Sequence, residues 1–236
     1  MYDLSSRTSE SKLQTAYYAP DSLLSTWHLS VPHTINTAIE ILETTTLDAA
    51  RTAALKGRKR PIGVLNFASA EQPGGGFING SNAQEESLAR SSTLYASLMT
   101  LTAQQFYSLH SAHGNGGFYT HAMIDVLTSP AVHAGLARRR ARSGDSVEAN
   151  IVRTMRERMA RVLFLFERRG VRNLILGSFG TGVFQNDVDA VAAIWAELLA
   201  DRFARSFQFV AFAVMDHPTY QRFSRAFEKA KGGSTL

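Results

Sequence analysis

Three consecutive glycines, Gly74-Gly75-Gly76, followed after Phe77 to Ala83 by Gln84-Glu85-Glu86, constrain this chain more than any other feature. Glycines in a row strip a loop of side chains and open the positive-φ region, so backbone N–H groups can approach a ligand closely. Upstream, Pro61-Ile62-Gly63-Val64-Leu65-Asn66-Phe67 reads as a short buried strand, and residues 84–98 read as a helix. The glycines and the paired carboxylates therefore sit on a strand–loop–helix unit, where α/β proteins keep their ligands.

The alternation continues along the chain. Residues 37–43 alternate as a strand, and Thr46 is placed to cap a helix over 47–56 with Asp48 in its first turn. Residues 104–109 extend the helical region after 98, residues 110–117 read as a Gly/Asn/His-rich loop, and 118–128 as one or two short strands. In 148–169 the apolar residues Ile151, Val152, Met155, Met159, Val162, Leu163 and Phe166 follow helical spacing, ended by Gly170. A buried strand over 171–179 leads to a second glycine loop, Gly177 to Gly182. Asp187 then opens a helix with the apolar stripe Val188, Val191, Ala192, Trp195, Leu198 and Leu199. A strand over 207–215 and a helix over 218–229, with Pro218 in its first turn, complete the pattern. Such alternation predicts an α/β fold of three layers, a mixed sheet with helices on both faces. Residues 1–36 read as a partly ordered N-terminal extension anchored by Tyr17, Tyr18 and Trp27, and residues 37–236 as the main domain.

Composition excludes several chemistries. The 236 residues contain no cysteine, which removes disulfides, thiolate nucleophiles and cysteine-ligated zinc together. No apolar run approaches the roughly 18 residues of a membrane span, and the first residues lack a hydrophobic signal core, so a soluble intracellular protein, nuclear or cytoplasmic, is expected. A net charge of +5 favours polyanionic partners. The run Arg138-Arg139-Arg140-Ala141-Arg142 reads first as a solvated loop, and the link over 56–60 as a basic turn before an import signal. His110, His113 and His121 have no carboxylate cluster beside them, so no metal site is expected.

The residues leave two readings open at each motif. Adjacent Glu85 and Glu86 diverge by about 100° on a helix, so they divide roles or are simply solvated acids favoured by the helix dipole. The second loop feeds a helix N-terminus, which is a ready anion site. It is neither a phosphate-binding Walker loop nor the dinucleotide fingerprint. Phe184, taken alone, is a core residue, and Asn66 a satisfied strand end.

Beyond these readings, Val64-Leu65-Asn66-Phe67-Ala68-Ser69-Ala70, Pro73-Gly74-Gly75-Gly76-Phe77, Gln84-Glu85-Glu86 and Arg90-Ser91-Ser92-Thr93-Leu94-Tyr95 closely resemble the poly(ADP-ribose) glycohydrolases of the bacterial and filamentous-fungal type, which are macrodomains. The block from Gly177 to Asp187 resembles that family's diphosphate-binding loop. The resemblance implies hydrolysis of ribose–ribose bonds, mainly from the chain end, to release ADP-ribose without metal or organic cofactor. Glu86 would be the acid and base, and Glu85 would hold the ribose hydroxyls. Asn66, Gly74, Gly75, Gly76 and Gln84 would contact substrate. Ser178, Gly180, Thr181, Gly182 and Val183 would cradle the diphosphate, with Phe184 stacked on the ribose being cleaved. The implied partners are poly(ADP-ribose), ADP-ribose and poly(ADP-ribosyl)ated proteins, in reversal of ADP-ribosylation as in the DNA damage response, with no membrane and no specific DNA binding. The chain departs from the family after Tyr119-Thr120, where a segment with a Tyr-Ser-Pro turn is missing and His121 to Ile124 run straight into Asp125. The alternatives are a non-catalytic ADP-ribose-binding macrodomain and a hydrolase of mono-ADP-ribosylated substrates.

Overall fold

A seven-stranded mixed sheet organises the computed structural model, which describes residues 4–19, 22–29, 34–58, 61–113, 118–120, 125–141 and 146–233. Its strands are β1 (Ala16–Tyr18), β2 (Ala38–Leu42), β3 (Ile62–Phe67), β4 (Phe118–Thr120), β5 (Asp125–Ser129), β6 (Asn173–Gly177) and β7 (Phe209–Ala213), in the order β1-β4-β5-β3-β6-β7-β2. From β5 to β2 the pairing is parallel, and β4 joins β1 and β5 antiparallel. The helices are α1 (Leu4–Leu13), α2 (Thr46–Leu55), α3 (Gln84–Ser91), α4 (Leu94–Leu98), α5 (Leu101–His113), α6 (Ala134–Arg140), α7 (Val147–Arg168), α8 (Val188–Ala200) and α9 (His217–Gly233).

The two-residue period of a strand splits the core into two layers. Leu174, Leu176, Val210 and Phe212 point to one face, where α7, α8 and α9 pack with Phe166, Trp195, Phe223 and Phe227. Ile175, Phe209, Ala211 and Ala213 point to the other, against the alanines of α2 and Leu88, Leu94 and Leu98 of α3 and α4. Both faces being covered is why β5, β6 and β7 read as unbroken buried runs. The expected three-layer α/β/α arrangement is the one observed.

Several boundaries differ from the sequence expectation, each for a local reason. The cap of α2 is Thr45, not Thr46: its Oγ1 accepts from Asp48 N at 3.1 Å. The single helix expected over 84–98 is two, because Ser92 is extended and its Oγ donates to Leu88 O at 2.7 Å while accepting from Leu94 N at 3.1 Å. A serine that hydrogen-bonds the backbone on both sides offers an alternative to the helical ladder. Helix α5 runs on to His113, where a loop from residue 110 was expected; the glycines begin only at Gly114. On α7 Val152 is 40% exposed and stands off the apolar stripe.

Residues 4–29 join this framework. Ser11 and Ser97 hydroxyls meet at 2.7 Å in the contact of α1 with α4, β1 extends the sheet through β4, and Leu24 is fully buried on the α7 side. Trp27 Nε1 donates to Glu157 at 2.9 Å, and Arg202 holds Trp27 O and Leu29 O while its other bonds reach the buried Glu167. The departure from the family at His121 to Ile124 lies outside the described residues, as do His121 itself, Lys59, Arg60 and Arg142. Among the described residues no helix is long and apolar enough to cross a membrane, and no group of three His, Cys, Asp or Glu side chains is arranged to hold a metal ion.

Candidate active site

The carboxyl ends of β3, β6 and β7 open onto a cleft of about 860 Å³. Its lining comes from the first glycine loop and α3, from the second glycine loop, and from Thr44 to Leu47 with Met215, Asp216 and Thr219.

Gln84, the first residue of α3, is fixed by the strand it follows. Its Oε1 accepts from Phe67 N at 2.8 Å, and its Nε2 donates to Leu65 O at 2.8 Å and Thr46 Oγ1 at 3.3 Å. The amide pairs with the backbone of β3 as a neighbouring strand would, so α3 starts in one position only. That position delivers Glu85 and Glu86 to the cleft with 3% and 6% of their surface exposed.

The two carboxylates then differ. Both oxygens of Glu85 are engaged: Oε1 accepts from Asn66 Nδ2 at 3.2 Å and Oε2 from Ser69 N at 2.6 Å. Burial pushes the Glu85 carboxyl up to about 7, helped by the charge of Glu86 and opposed by the Ser69 and Asn66 donors. Glu86 accepts from Gly76 N at 2.8 Å through Oε1, whereas its Oε2 is buried with no partner among the described residues. Gly75 explains the closeness of loop and acids. Its φ is +57°, and a Cβ there would lie 2.5 Å from Glu86 Oε1 and 3.1 Å from Glu85 Oε2. Gly76 turns its amide to Glu86, and Gly74 packs against the Tyr95 ring, which itself meets Phe77 at 4.9 Å.

Asn66 and Gly74 do not line the cleft; they stand behind it. Asn66 is fully buried between Glu85 and Thr128, its register partner on β5, with Nδ2 at 3.3 Å from Thr128 Oγ1 and Oδ1 without a partner among the described residues. Gly75, Gly76, Gln84, Glu85, Glu86, Ser178, Gly180, Thr181, Gly182, Val183 and Phe184 all face the cleft together.

The second loop is held from below. Asn186 Nδ2 donates to Val132 O at 2.7 Å and Gly180 O at 2.9 Å, and Thr181 Oγ1 to Ser178 O at 2.9 Å. Gly180 has φ +74° and sits so close to Ala131 and Asn186 that no Cβ fits. Asp187 caps α8 by accepting from Ala190 N at 2.9 Å and pairs with Arg222 at 2.5 Å. Within this loop the amides of Gly180, Gly182, Val183 and Phe184 donate to no protein acceptor among the described residues. Unengaged N–H groups beside a helix N-terminus are chemically suited to an anion.

Sequence reasoning missed the support beneath Phe184. The His133 ring stacks on it with centroids 4.7 Å apart and planes 19° from parallel, while His133 Nδ1 accepts from Leu136 N at 3.2 Å as the cap of α6. Gly135 N donates to Phe184 O at 3.2 Å and Arg138 to Gln185 O at 2.8 Å. The only local signal was a polar residue ahead of a short helical run; the contact spans chain segments far apart in sequence. Ser69 and Thr128, which engage Glu85 and Asn66, carried no signal of their own.

A family model described as "Microbial-type PARG, catalytic domain" matches residues 1–133. Among solved structures, the poly(ADP-ribose) glycohydrolase from Deinococcus radiodurans in complex with ADP-ribose superposes with a TM-score of 0.84 at 29% identity, covering 97% of this chain and 98% of that one. The poly(ADP-ribose) glycohydrolase from Thermomonospora curvata gives 0.83 at 36% identity, with 94% and 89% covered. The same enzyme bound to the inhibitor ADP-HPD gives 0.81 at 36% identity, with 94% and 88% covered. A search of curated protein sequences finds no significant match.

Proposed function

The chain belongs to the microbial-type poly(ADP-ribose) glycohydrolase family, and on that premise we propose that Glu86 is the acid and base of its reaction, with Glu85 as the group that holds the sugar. The activity is that of a glycosidase: hydrolysis of the ribose–ribose O-glycosidic bond of poly(ADP-ribose), releasing ADP-ribose.

One observation carries the division of roles. Among the described residues Glu86 Oε2 is buried and unpartnered, whereas both Glu85 oxygens are held by Asn66 and Ser69. A group that must give and take a proton needs a free oxygen; a group that positions a sugar needs a fixed one. In the proposed step the Glu86 carboxyl protonates the 2′ oxygen of the leaving sugar as the C1″–O2′ bond breaks. The resulting carboxylate takes a proton from water as the water oxygen bonds to C1″. Water is consumed, the proton balance closes on one residue, and the scheme departs from the usual pair of opposed carboxylates.

The remaining contacts follow the cleft. The free amides of Gly180, Gly182, Val183 and Phe184 suit the diphosphate, and the ring of Phe184, backed by His133, suits the ribose face. The adenosine falls to the far end, beside Thr45, Met215 and Thr219. Gln84 in the cleft wall, with Asn66 and Gly74 behind it, places the carboxylates. Cleavage proceeds mainly from the chain end, which early release of free ADP-ribose rather than oligomers from long polymer would support.

Glu86→Gln tests the assignment. The amide keeps the shape, so ADP-ribose binding by calorimetry should stay close to wild type while hydrolysis falls by roughly 10²–10⁴-fold. An active Glu86→Gln enzyme sinks the mechanism; a wild type that binds polymer without cleaving it makes the chain an ADP-ribose-binding macrodomain.

A further inference from the structure

Helix α3 carries a charge that the reaction above does not use. Arg90 follows Glu86 by four residues, on the same face and about 6 Å further along the axis at 1.5 Å per residue. Its Nη2 donates to Ser81 O and Asn82 Oδ1, each at 2.6 Å, so the guanidinium is held in place. Its Nε and Nη1 hydrogens have no acceptor, and no carboxylate pairs with it, among the described residues. Of the residues lining the cleft, Arg90 is the one lysine or arginine, and Ser81, Asn82, Ser87 and Ser91 surround it with polar groups. The diphosphate of the bound unit is already matched by the four free amides of the opposite loop. An uncompensated cation on the acid's own helix therefore calls for a second anion.

We propose that Arg90 and this polar shelf form a subsite for the unit that stays on the polymer, with the guanidinium on that unit's diphosphate. The proposal rests on the glycohydrolase reading above. The oxygen that leaves C1″ is the 2′ oxygen of the preceding adenosine ribose, and the same sugar carries its diphosphate on the 5′ carbon. Glu86 delivers a proton to that 2′ oxygen, so the leaving sugar lies over α3 and its 5′ phosphate is one furanose ring away. The single helical turn from Glu86 to Arg90 matches that offset. A guanidinium whose Nε and Nη1 hydrogens remain available is suited to phosphate oxygens. Arg90 thereby favours leaving groups that bear phosphate, which makes it a determinant of polymer over ADP-ribosyl groups carried on small or uncharged leaving groups.

Two substrates separate this role from a merely structural one: poly(ADP-ribose), and ADP-ribosyl-2′-adenosine, in which the leaving unit ends at its adenosine and has no phosphate. Arg90→Gln should lower kcat/KM on polymer about three- to tenfold, mainly through KM and with a shallower salt dependence, as expected for a solvent-reached charged hydrogen bond. Its kcat/KM on the truncated substrate and its Kd for ADP-ribose should match wild type, and Arg90→Lys should recover part of the polymer activity. Equal losses on both substrates would mean that Arg90 only holds the loop at Ser81 and Asn82, and no loss on polymer would remove the subsite; either overturns the proposal. A wild type that cleaves neither substrate would instead defeat the glycohydrolase reading. Filter binding of polymer then decides the subsite, with weakened binding in Arg90→Gln beside an unchanged ADP-ribose Kd supporting it and unchanged polymer binding rejecting it.

Discussion

The two glycine loops of this cleft look alike in sequence and do opposite things with their backbone. In the first, the amides of Ser69 and Gly76 point inward to Glu85 and Glu86, so the loop serves the protein's own carboxylates. In the second, Asn186 and Thr181 hold the loop and the amides of Gly180, Gly182, Val183 and Phe184 stay unengaged among the described residues. Glycine content makes both conformations accessible, but the destination of each N–H decides whether a loop shapes an acid or receives an anion.

Five substitutions press on that contrast, the strongest first. Gly75→Val forces a branched side chain into a φ of +57° and onto Glu86 Oε1. Hydrolysis should fall by roughly 100-fold or more, because misplacing the acid is costly, with a smaller loss of ADP-ribose affinity. If calorimetry shows affinity falling as far as turnover, the first loop contacts the diphosphate after all.

Glu85→Gln reads the cost of the buried acid. Its folded pKa of about 7 lies above the ordinary 4.5, so the wild type keeps this group's contribution below pH 4.5 and loses it as pH rises through 7. The glutamine cannot ionise, and denaturant unfolding should find it more stable than wild type by about 3 kcal/mol at pH 8 and nearly equal at pH 4.5. A pH-independent difference would show that the carboxyl titrates normally.

Gly180→Ala acts on the other loop, where φ is +74° and Ala131 and Asn186 close the space. Strain of about 1–2 kcal/mol should weaken ADP-ribose binding around tenfold while kcat at saturating substrate changes less. A loss confined to kcat would exchange the roles of the two loops.

Phe184→Ala should be the mildest, weakening ADP-ribose about fivefold, at the low end of aromatic stacking. His133→Asn keeps an acceptor for Leu136 N but removes the ring under Phe184. If the stack matters, its effect should vanish in the Phe184→Ala background; additive losses would return His133 to capping alone.

Much of the architecture was legible in the chain because strand and helix periods are local. Unbroken apolar runs in β6 and β7 demand cover on both faces, and the spacing of α7 and α8 supplies it on one. The misread boundaries have a common cause, side chains that compete with the backbone: Ser92 breaks the helix after Glu86, and Thr45 rather than Thr46 takes the cap. Gln84, implied as a substrate contact by the resemblance, lines the cleft, and its amide is also bound to Phe67, Leu65 and Thr46, a pairing that no sequence pattern announces.

By itself, then, the sequence determined the order of elements, the layered fold and the two loops at which chemistry can occur, since these follow from periodicity and from the conformations open only to glycine. Only the tertiary structure decided which carboxylate keeps a free oxygen, which one burial drives toward neutrality, which loop has amides to offer, and that His133 stands under Phe184. Those outcomes depend on burial and on partners brought from distant strands, and neither desolvation nor a hydrogen-bond partner across the fold is a property of a residue's neighbours along the chain.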